Sequence, residues 1–342
     1  MYQLGFLDYD IRLSRIDKAG DPLKKIDEVV DWEVFRPLLE EARKKEKRKS
    51  NAGAKGYDVV LLFKVLILQS LYNLSDEETE YQILDRYSFS RFVGIKASEK
   101  VPDATTLWRF REGLVKAKVV EKLFKRFDRF LGDNGYRARK GQIVDASIVR
   151  VPIQRNSREE NQKIKEGKEK EIEGWSEAKR RQKDTDARWT KKHGRSYFGY
   201  KNHVSVDVKN KFIRGYKVTS ANIHDSQVFG ELLDKGNSSK DVWADSAYRS
   251  GDNLEELKKR GYREHLQRKG NRHKKLSERE KLGNRTKSRI RSRIEHVFGV
   301  QAQKAGDLIL RTIGIARARC KIGLRNLAYN IDRYGTLCAM SG

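Results

Sequence analysis

The sequence predicts an α/β protein in which a helical N-terminal region precedes a domain built around a β-sheet. Two observations support this fold class. Up to about residue 130 the apolar residues recur at helical spacing, and from about residue 140 short β-branched runs alternate with helical segments. A chain of 342 residues is long enough for two domains, and we place them at residues 1–135 and 136–342.

Charge and cysteine content limit the class of protein. Lys and Arg number 75 and Asp and Glu 48, which gives a formal net charge of +27. Such an excess suits a polyanion, because each neutralised phosphate releases counterions, so we expect nucleic acid rather than an inert basic surface. Cys320 and Cys338 show neither metal-ligand spacing nor a disulfide framework, so a reducing cytoplasm is expected. No signal peptide or membrane span is expected, since the most apolar run, Val59–Leu68, contains Lys64.

The first elements are predicted to be amphipathic helices. The segment WEVFRPLLEEARKKEKRKS indicates a helix that ends in a basic tail, and Asn51–Gly56 is typical of a linker. The apolar run DVVLLFKVLILQSLYNLS follows as a buried helix. Ser75 and Glu78 have the capping-box spacing, which predicts a new helix over residues 76–87.

A possible DNA-reading module lies in the core of this region, at about residues 57–130. Asp103 is the expected N-cap of a third short helix, and the three helices together resemble a helix-turn-helix. Arg109 and Arg111 near the start of the third helix are the candidate DNA contacts. An ordinary helical bundle with surface arginines explains the same residues equally well.

The second half begins with GQIVDASIVRV, a β-branched run that suits a buried central strand. Residues 153–195 are then expected to form a solvated helix or a mobile excursion without a core, because residues 154–190 contain 11 basic and 9 acidic residues and almost no aliphatic ones. Two alternating runs around Lys209-Asn210-Lys211 predict a β-hairpin, and Asp225 is expected to cap a helix that runs through Leu233. Further strand and helix patterns follow. The strand GQIVDASIVRV and the two strands of the hairpin precede the helix that begins at Asp225. Three strands before the first helix are typical of ribonuclease-H-like folds.

Three acidic residues stand out within this layout. Asp145 is the lone acid inside the strand IVDASIV, Asp245 ends the strand VWAD, and Glu295 lies on the last predicted helix. Each alone has a structural explanation: a strand-edge cap, a helix N-cap, and an ion pair with Arg291. Together they can converge on one point. Hard oxygen ligands without a Cys/His cluster favour two Mg²⁺ or Mn²⁺ ions, which can promote both halves of a phosphodiester displacement.

Eight sequence blocks carry a family resemblance. The first half contains LYNLSDEETEY, FSRFVGI and VPDATTLWRFR, and the second half contains GQIVDASIV, FGYKNHVSVD, SANIHDSQ, VWADSAYRS and RSRIEHVFG in that order. From its first helices to about residue 335 the chain resembles bacterial insertion-sequence transposases of the DDE type, in the insertion sequence five group of the four/five superfamily. The resemblance implies an N-terminal helical DNA-binding region and a ribonuclease-H-like catalytic domain.

The resemblance also implies a reaction. Asp145, Asp245 and Glu295 match the D, D and E of the family. Such a protein binds the terminal inverted repeats of its element, hydrolyses the phosphodiester at the 3′ ends with Mg²⁺, and joins the 3′-hydroxyls to target DNA. A homodimer on paired ends of double-stranded DNA and a nucleoid-associated location are expected. The alternatives are a structure-specific nuclease of the same fold and a catalytically idle, domesticated DNA-binding regulator.

The family pattern can be followed around the glutamate. Arg291, four residues before Glu295, matches the family's arginine, and a helical wheel puts both at the edge that faces the sheet. The family's lysine seven residues after the glutamate falls on Ala302, so either the helix is irregular there or another residue takes the role of that lysine.

Further basic residues are candidate DNA contacts. Arg289, Arg291 and Arg293 belong to the basic stretch around Glu295 and would lie along the phosphate backbone. Lys201 and His203 share one face of a strand that flanks the site in the family, so they are expected near the scissile DNA. A solvated face of the hairpin is an equally good interpretation of these two residues.

Overall fold

The computed structural model divides the chain into two compact units. One, the helical unit, consists of Met1–Leu131 and Gly323–Gly342, and the other, the sheet unit, of Gly132–Ile322. The expected catalytic domain included residues 323–342, which instead group with the helices. The described residues are 7–43, 56–192, 194–270, 273, 275–306 and 308–341. The basic tail at residues 44–50 and most of the expected linker lie outside them.

Eight helices precede the sheet in the described residues: α1 (Asp8–Lys18), α2 (Pro22–Val29), α3 (Arg36–Arg43), α4 (Val59–Tyr72), α5 (Asp76–Asp85), α6 (Tyr87–Val93), α7 (Ala104–Ala117) and α8 (Val120–Asp133). Their core is aromatic, with Phe35, Phe63 and Phe127 fully buried. Among the described residues no single helix is long and apolar enough to cross a membrane, and the bent pair α4 and α5 meets those criteria only jointly.

Side-chain caps explain where several of these helices begin. The Asp58 carboxylate accepts a hydrogen bond from Val60 N at 2.8 Å, and Asp103 accepts one from Thr106 N at 2.6 Å. Ser75 Oγ accepts one from Glu78 N at 3.0 Å, so the predicted helix does begin at Asp76. Each cap satisfies a backbone donor that the first turn of a helix leaves free.

The last helix, α14 (Ile315–Ser341), belongs to both units. Its first eight residues, 315–322, are part of the sheet unit, and the remainder completes the helical unit. Within the helical unit the Tyr334 ring meets Phe127 edge-on, with centroids 6.2 Å apart. The next residue, Gly335, touches α2 so closely that a Cβ there would lie 2.9 Å from Ile26 Cγ1.

The sheet unit is built on six strands among the described residues: β1 (Gln142–Arg150), β2 (Arg188–Lys192), β3 (Arg195–Asp207), β4 (Ile213–Ser220), β5 (Asp241–Ala244) and β6 (Arg263–Leu266). The order is β2-β3-β1-β5-β6, and β4 also pairs with β3. Strand β3 is antiparallel to β1, β2 and β4, whereas β1, β5 and β6 are mutually parallel. With the short β2 set aside, the arrangement is the ribonuclease-H-like one that the sequence predicted, which confirms the fold class.

Helices cover the sheet: α11 (Phe229–Leu232), α12 (Gly251–Lys259), α13 (Glu278–Ala305) and the start of α14. One apolar cluster joins Phe229, Tyr248 and Leu257 to strands β1, β5 and β6. On α13, Ile294 and Val297 are fully buried. The apolar spacing that predicted this helix therefore identified its packed face correctly.

The charged excursion between β1 and β2 is folded, so the prediction of a stretch without a core was wrong. It contains α9 (Arg158–Lys165) and α10 (Glu177–Gln182), and Ile164, Ile172 and Trp175 form a small buried cluster of their own. Arg180 ties this lobe together, since its guanidinium donates to three backbone oxygens of residues 169–175. A core of three apolar side chains is enough for this lobe because the Arg180 hydrogen bonds hold its backbone together.

Candidate active site

The sheet brings two of the expected acids together. Strands β1 and β5 pair in parallel as far as Val144 opposite Ala244. Asp245 directly follows β5, and Asp145 is the next residue of β1, which continues to Arg150. The carboxyl end of β5 therefore lies beside Asp145, and open α/β folds form their sites at such strand ends. Both acids, here called the aspartate pair, line a cavity of about 680 Å³, the site cavity.

Asp145 sits in a mixed electrostatic environment. Its side chain is 19 % exposed. One carboxylate oxygen accepts a hydrogen bond from Ala146 N at 2.8 Å, and the other lies 3.1 Å from Arg291 Nη1. Burial raises the pKa of Asp145 above its usual value; the Ala146 N–H and the Arg291 charge oppose this rise, and the Asp245 charge adds to it. Asp145 therefore carries a charge that its surroundings only partly stabilise.

Asp245 caps a turn and lines the site cavity. Its carboxylate accepts a hydrogen bond from Ala247 N and caps the 3₁₀ turn Ser246–Tyr248. It also lines the site cavity beside Asp145. A single cap contact leaves most of the lone pairs of this carboxylate available.

Helix α13 supplies an arginine to the aspartate pair. Arg291 reaches Asp145, and among the described residues no ion pair joins it to Glu295. Glu295 itself is exposed one turn further along, and it is not among the residues that line the site cavity. The helix is continuous past Ala302, which is also exposed, so no irregularity of α13 brings a lysine to that position.

The donor set determines which ion the site suits. Carboxylate oxygens are the ligands that Mg²⁺ and Mn²⁺ prefer, and a cation would relieve the repulsion within the aspartate pair. The Arg291 Nε is buried with no hydrogen-bond partner in the described structure, so the cationic side of the site is also incompletely satisfied. Among the described residues, no three Asp, Glu, His or Cys side chains lie close enough to hold a metal ion. The residues fit a cation at the aspartate pair, with Glu295 outside that pair.

The side of β3 that carries Lys201 and His203 was expected to face DNA, but in the structure it is a largely buried polar face. Lys201 lines the site cavity, but its ammonium is held by Ile223 O and Asp225 Oδ1, each at 2.8 Å. His203 is 0 % exposed and contacts Thr219 Oγ1 at 2.9 Å. Burial lowers the pKa of His203 to about 4, so the ring is neutral at pH 7. His203 is therefore not accessible to DNA in this structure, contrary to the expectation. The alternative, a solvated face of the hairpin, is not observed for this residue either.

Asp225 has a different role from the one expected. His224 caps the short 3₁₀ turn Asp225–Val228 by accepting from Ser226 N, while Asp225 pairs with Lys201 and lines the site cavity. Sequence reasoning treated Asp225 as a helix cap and so missed a third acid in the cavity. The signal was the block SANIHDSQ, which the resemblance had already grouped with the catalytic blocks.

The remaining candidate DNA contacts differ in exposure. Arg109 and Arg289 are exposed, and Arg293 is half-buried with its guanidinium 3.0 Å from Val208 O. Arg111 is buried and pairs with Asp76, so it is unavailable to DNA in this structure. Sequence reasoning did not select the other basic residues of the site cavity, which are Lys191, Lys192, Arg249 and Lys269.

Two family models match the chain. One, described as a transposase DDE domain, matches residues 136–331, and the other, described as a transposase domain (DUF772), matches residues 11–113. The chain is also similar to a piggyBac transposase, seen by cryo-EM in a synaptic complex with hairpin DNA, at 12 % identity and a TM-score of 0.42 over 94 % of this chain and 76 % of that one. The first match covers more than half of the 342 residues. The protein therefore belongs to the transposase DDE domain family.

Proposed function

We propose that the protein is a transposase of the insertion sequence five group that cleaves the 3′ ends of its element and joins them to target DNA. The observation that carries the proposal is the aspartate pair at the point where the parallel pairing of β1 and β5 ends, with Arg291 of α13 beside it. Two partly buried acids that line one cavity of a ribonuclease-H-like sheet suit phosphodiester chemistry.

The charges around the site cavity support a DNA substrate. Five basic side chains line it together with the acids: Lys191, Lys192, Lys201, Arg249 and Lys269. Such groups attract a phosphate backbone and hold it without reading sequence. We infer that they position the scissile phosphate over the aspartate pair, while the terminal inverted repeats are read by the helical unit.

A divalent cation completes the proposed site. Asp145 and Asp245 would hold it, and Mg²⁺ or Mn²⁺ would supply charge neutralisation at the attacking and leaving oxygens. Glu295 remains the proposed third acid on the strength of the resemblance, one helical turn beyond Arg291. Arg291 holds the Asp145 carboxylate in place. Two protomers on paired DNA ends, within the nucleoid, complete the proposal.

Three conservative substitutions test the proposal. Asp145→Asn, Asp245→Asn and Glu295→Gln are each expected to reduce Mg²⁺-dependent cleavage of a duplex carrying the element's end by about 10⁴-fold or more, because each removes a charge that acts at the reacting phosphate. Binding of the same duplex, measured by mobility shift, should persist. Asp252→Asn and Glu278→Gln, on the exposed surfaces of α12 and α13, are the matched controls. Retained cleavage in any of the three variants would contradict its assigned role.

A strand-transfer assay separates this proposal from its rivals. The parent protein is supplied with pre-cut ends and a target plasmid. Joined products are expected for a transposase. Cleavage of intact ends without joining would instead indicate a nuclease, and binding without cleavage a regulator.

A further inference from the structure

Tyr248 is a buried tyrosine whose hydroxyl has no obvious structural purpose. It closes the 3₁₀ turn that Asp245 caps, is 1 % exposed, and its ring packs on Phe229 with centroids 5.4 Å apart. In the part of the chain that the structure describes, its hydroxyl has no hydrogen-bond partner. Burying a hydroxyl without a partner is costly, so a phenylalanine would pack better unless the oxygen has another use.

Two other buried tyrosines of the sheet unit have partners for their hydroxyls. The Tyr200 hydroxyl lies 2.7 and 2.9 Å from the two Asp184 carboxylate oxygens. Tyr262, in the same apolar cluster as Tyr248, donates to Asp234 O at 3.3 Å. Burying a tyrosine in this fold therefore does not require its hydroxyl to go without a hydrogen bond.

The charges of the site act on the Tyr248 hydroxyl. Burial raises its pKa well above 10, and the charges of Asp225, Asp145 and Asp245 raise it further, whereas Arg291 lowers it. These three aspartates all line the site cavity. The phenol stays protonated at neutral pH and so is a permanent hydrogen-bond donor among carboxylates, which can only accept.

A second unpartnered atom lies near one of these acids. His203 Nδ1 is buried without a hydrogen-bond partner in the described structure, 3.9 Å from Asp225 Oδ1, the oxygen that Lys201 already holds. Asp225 is therefore fixed by Lys201, while His203 and Tyr248 still have hydrogen-bonding capacity. We expect the unpartnered atoms to gain hydrogen bonds when a ligand moves the carboxylate oxygens.

We propose that Tyr248 is a positioning residue for cation binding: when a cation is bound, its hydroxyl donates to a carboxylate of the cavity and fixes which oxygens of the aspartate pair face the cation. The inference rests on the proposed function, because it needs a cation at Asp145 and Asp245. Tyr248 acts through the carboxylates and touches neither the DNA nor the reacting atoms.

The test measures Mn²⁺ binding to the full-length protein without DNA, by the EPR signal of free Mn²⁺. Tyr248→Phe should weaken Mn²⁺ affinity about 10-fold, since groups that hydrogen-bond to metal ligands have effects of this order. Tyr262→Phe, which removes a satisfied hydroxyl from the same cluster, should stay within about twofold of the parent. The Mn²⁺-induced rise in Tm, read against each variant's own baseline, gives the same comparison if a variant changes stability.

The outcomes separate the inference from the proposed function. Unchanged Mn²⁺ affinity in Tyr248→Phe, or equal losses in the two tyrosine variants, overturns the inference while the loss of binding in Asp145→Asn still supports the cation site. A parent protein that binds no Mn²⁺, or an Asp145→Asn variant that binds it as the parent does, overturns the cation site and the inference together.

Discussion

Two arginines, one in each unit, form ion pairs of opposite character. Arg111 of the helical unit is 5 % exposed and grips Asp76 with two bonds of 2.7 and 2.6 Å, with a further bond to Gln69. Arg291 of the sheet unit is 24 % exposed, has one contact of 3.1 Å with Asp145, and has a buried Nε without a partner among the described residues. The first pair is saturated, and the second retains bonding capacity.

The number of bonds that each arginine makes distinguishes a structural ion pair from a functional one. Both arginines come from helices rich in basic residues, WRFREGL and SRIRSRIE, and sequence reasoning assigned both to DNA. A bidentate, fully bonded pair has no free donor or acceptor for a ligand, and breaking it destabilises the protein. A pair with one long contact and a carboxylate that is poorly stabilised can exchange partners.

Breaking the saturated pair should have the largest effect on stability. Arg111→Met is expected to lower the free energy of unfolding by about 3 kcal/mol, because Asp76 loses its bidentate partner in a largely buried position. Urea denaturation measures the loss. Arg109→Met, an exposed change two residues away, should stay within about 0.5 kcal/mol of the parent. Comparable stabilities for the two variants would show that the Arg111–Asp76 pair is not structural.

Breaking the unsaturated pair should show the reverse profile. Arg291→Met is expected to reduce DNA cleavage about 100-fold, since a positive charge beside the proposed reacting phosphate is lost. Its unfolding free energy should change by less than about 1 kcal/mol, because the pair is single and partly exposed. Arg289→Met on the exposed side of α13 is the control. A large loss of stability with normal cleavage by the folded fraction would reverse the comparison.

The smallest expected effect is a pH-dependent gain in stability. Because the folded-state pKa of Asp145 is raised, the folded protein keeps a proton that the unfolded chain has released. The stability associated with the neutral carboxyl is present below the usual pKa of 3.8 and is lost as the pH rises through the raised value. Asp145→Asn stays neutral, so it should exceed the parent in stability at pH 7 and approach it near pH 4. Urea midpoints at the two pH values check this, with Asp252→Asn as the control, and a variant less stable than the parent at pH 7 would contradict it.

Much of the fold was predictable because its signals are local. Asp103 caps its helix, the hairpin turns at Lys209–Lys211, and the apolar spacing of α13 gives its packed face. The charged lobe was mispredicted because composition averages over a stretch and hides three apolar residues that find each other, such as Trp175 with Ile164. The grouping of residues 323–342 with the helical unit is a long-range contact for which the sequence has no periodic signal.

The site was predictable to the extent that strand pairing determines it. Asp145 and Asp245 each follow the last paired residue of β1 and β5, so they line the same cavity. A helical wheel gives the face of α13 but not the turn that passes the strand ends, so Arg291 meets Asp145 while Glu295 lies beyond it. Asp225, which lines the cavity, and Tyr248 lie on two short turns that contact each other only in the tertiary structure.

The division of α14 between the two units has a consequence for synthesis on the ribosome. Translation makes residues 1–131 first and the whole sheet unit next, and only then the residues 323–342 that cover Phe127 and Ile26. A nascent chain therefore holds an unfinished helical core throughout elongation. A premature stop before residue 323 would leave that apolar surface open, which makes truncated products targets for chaperones and proteases rather than partially functional proteins.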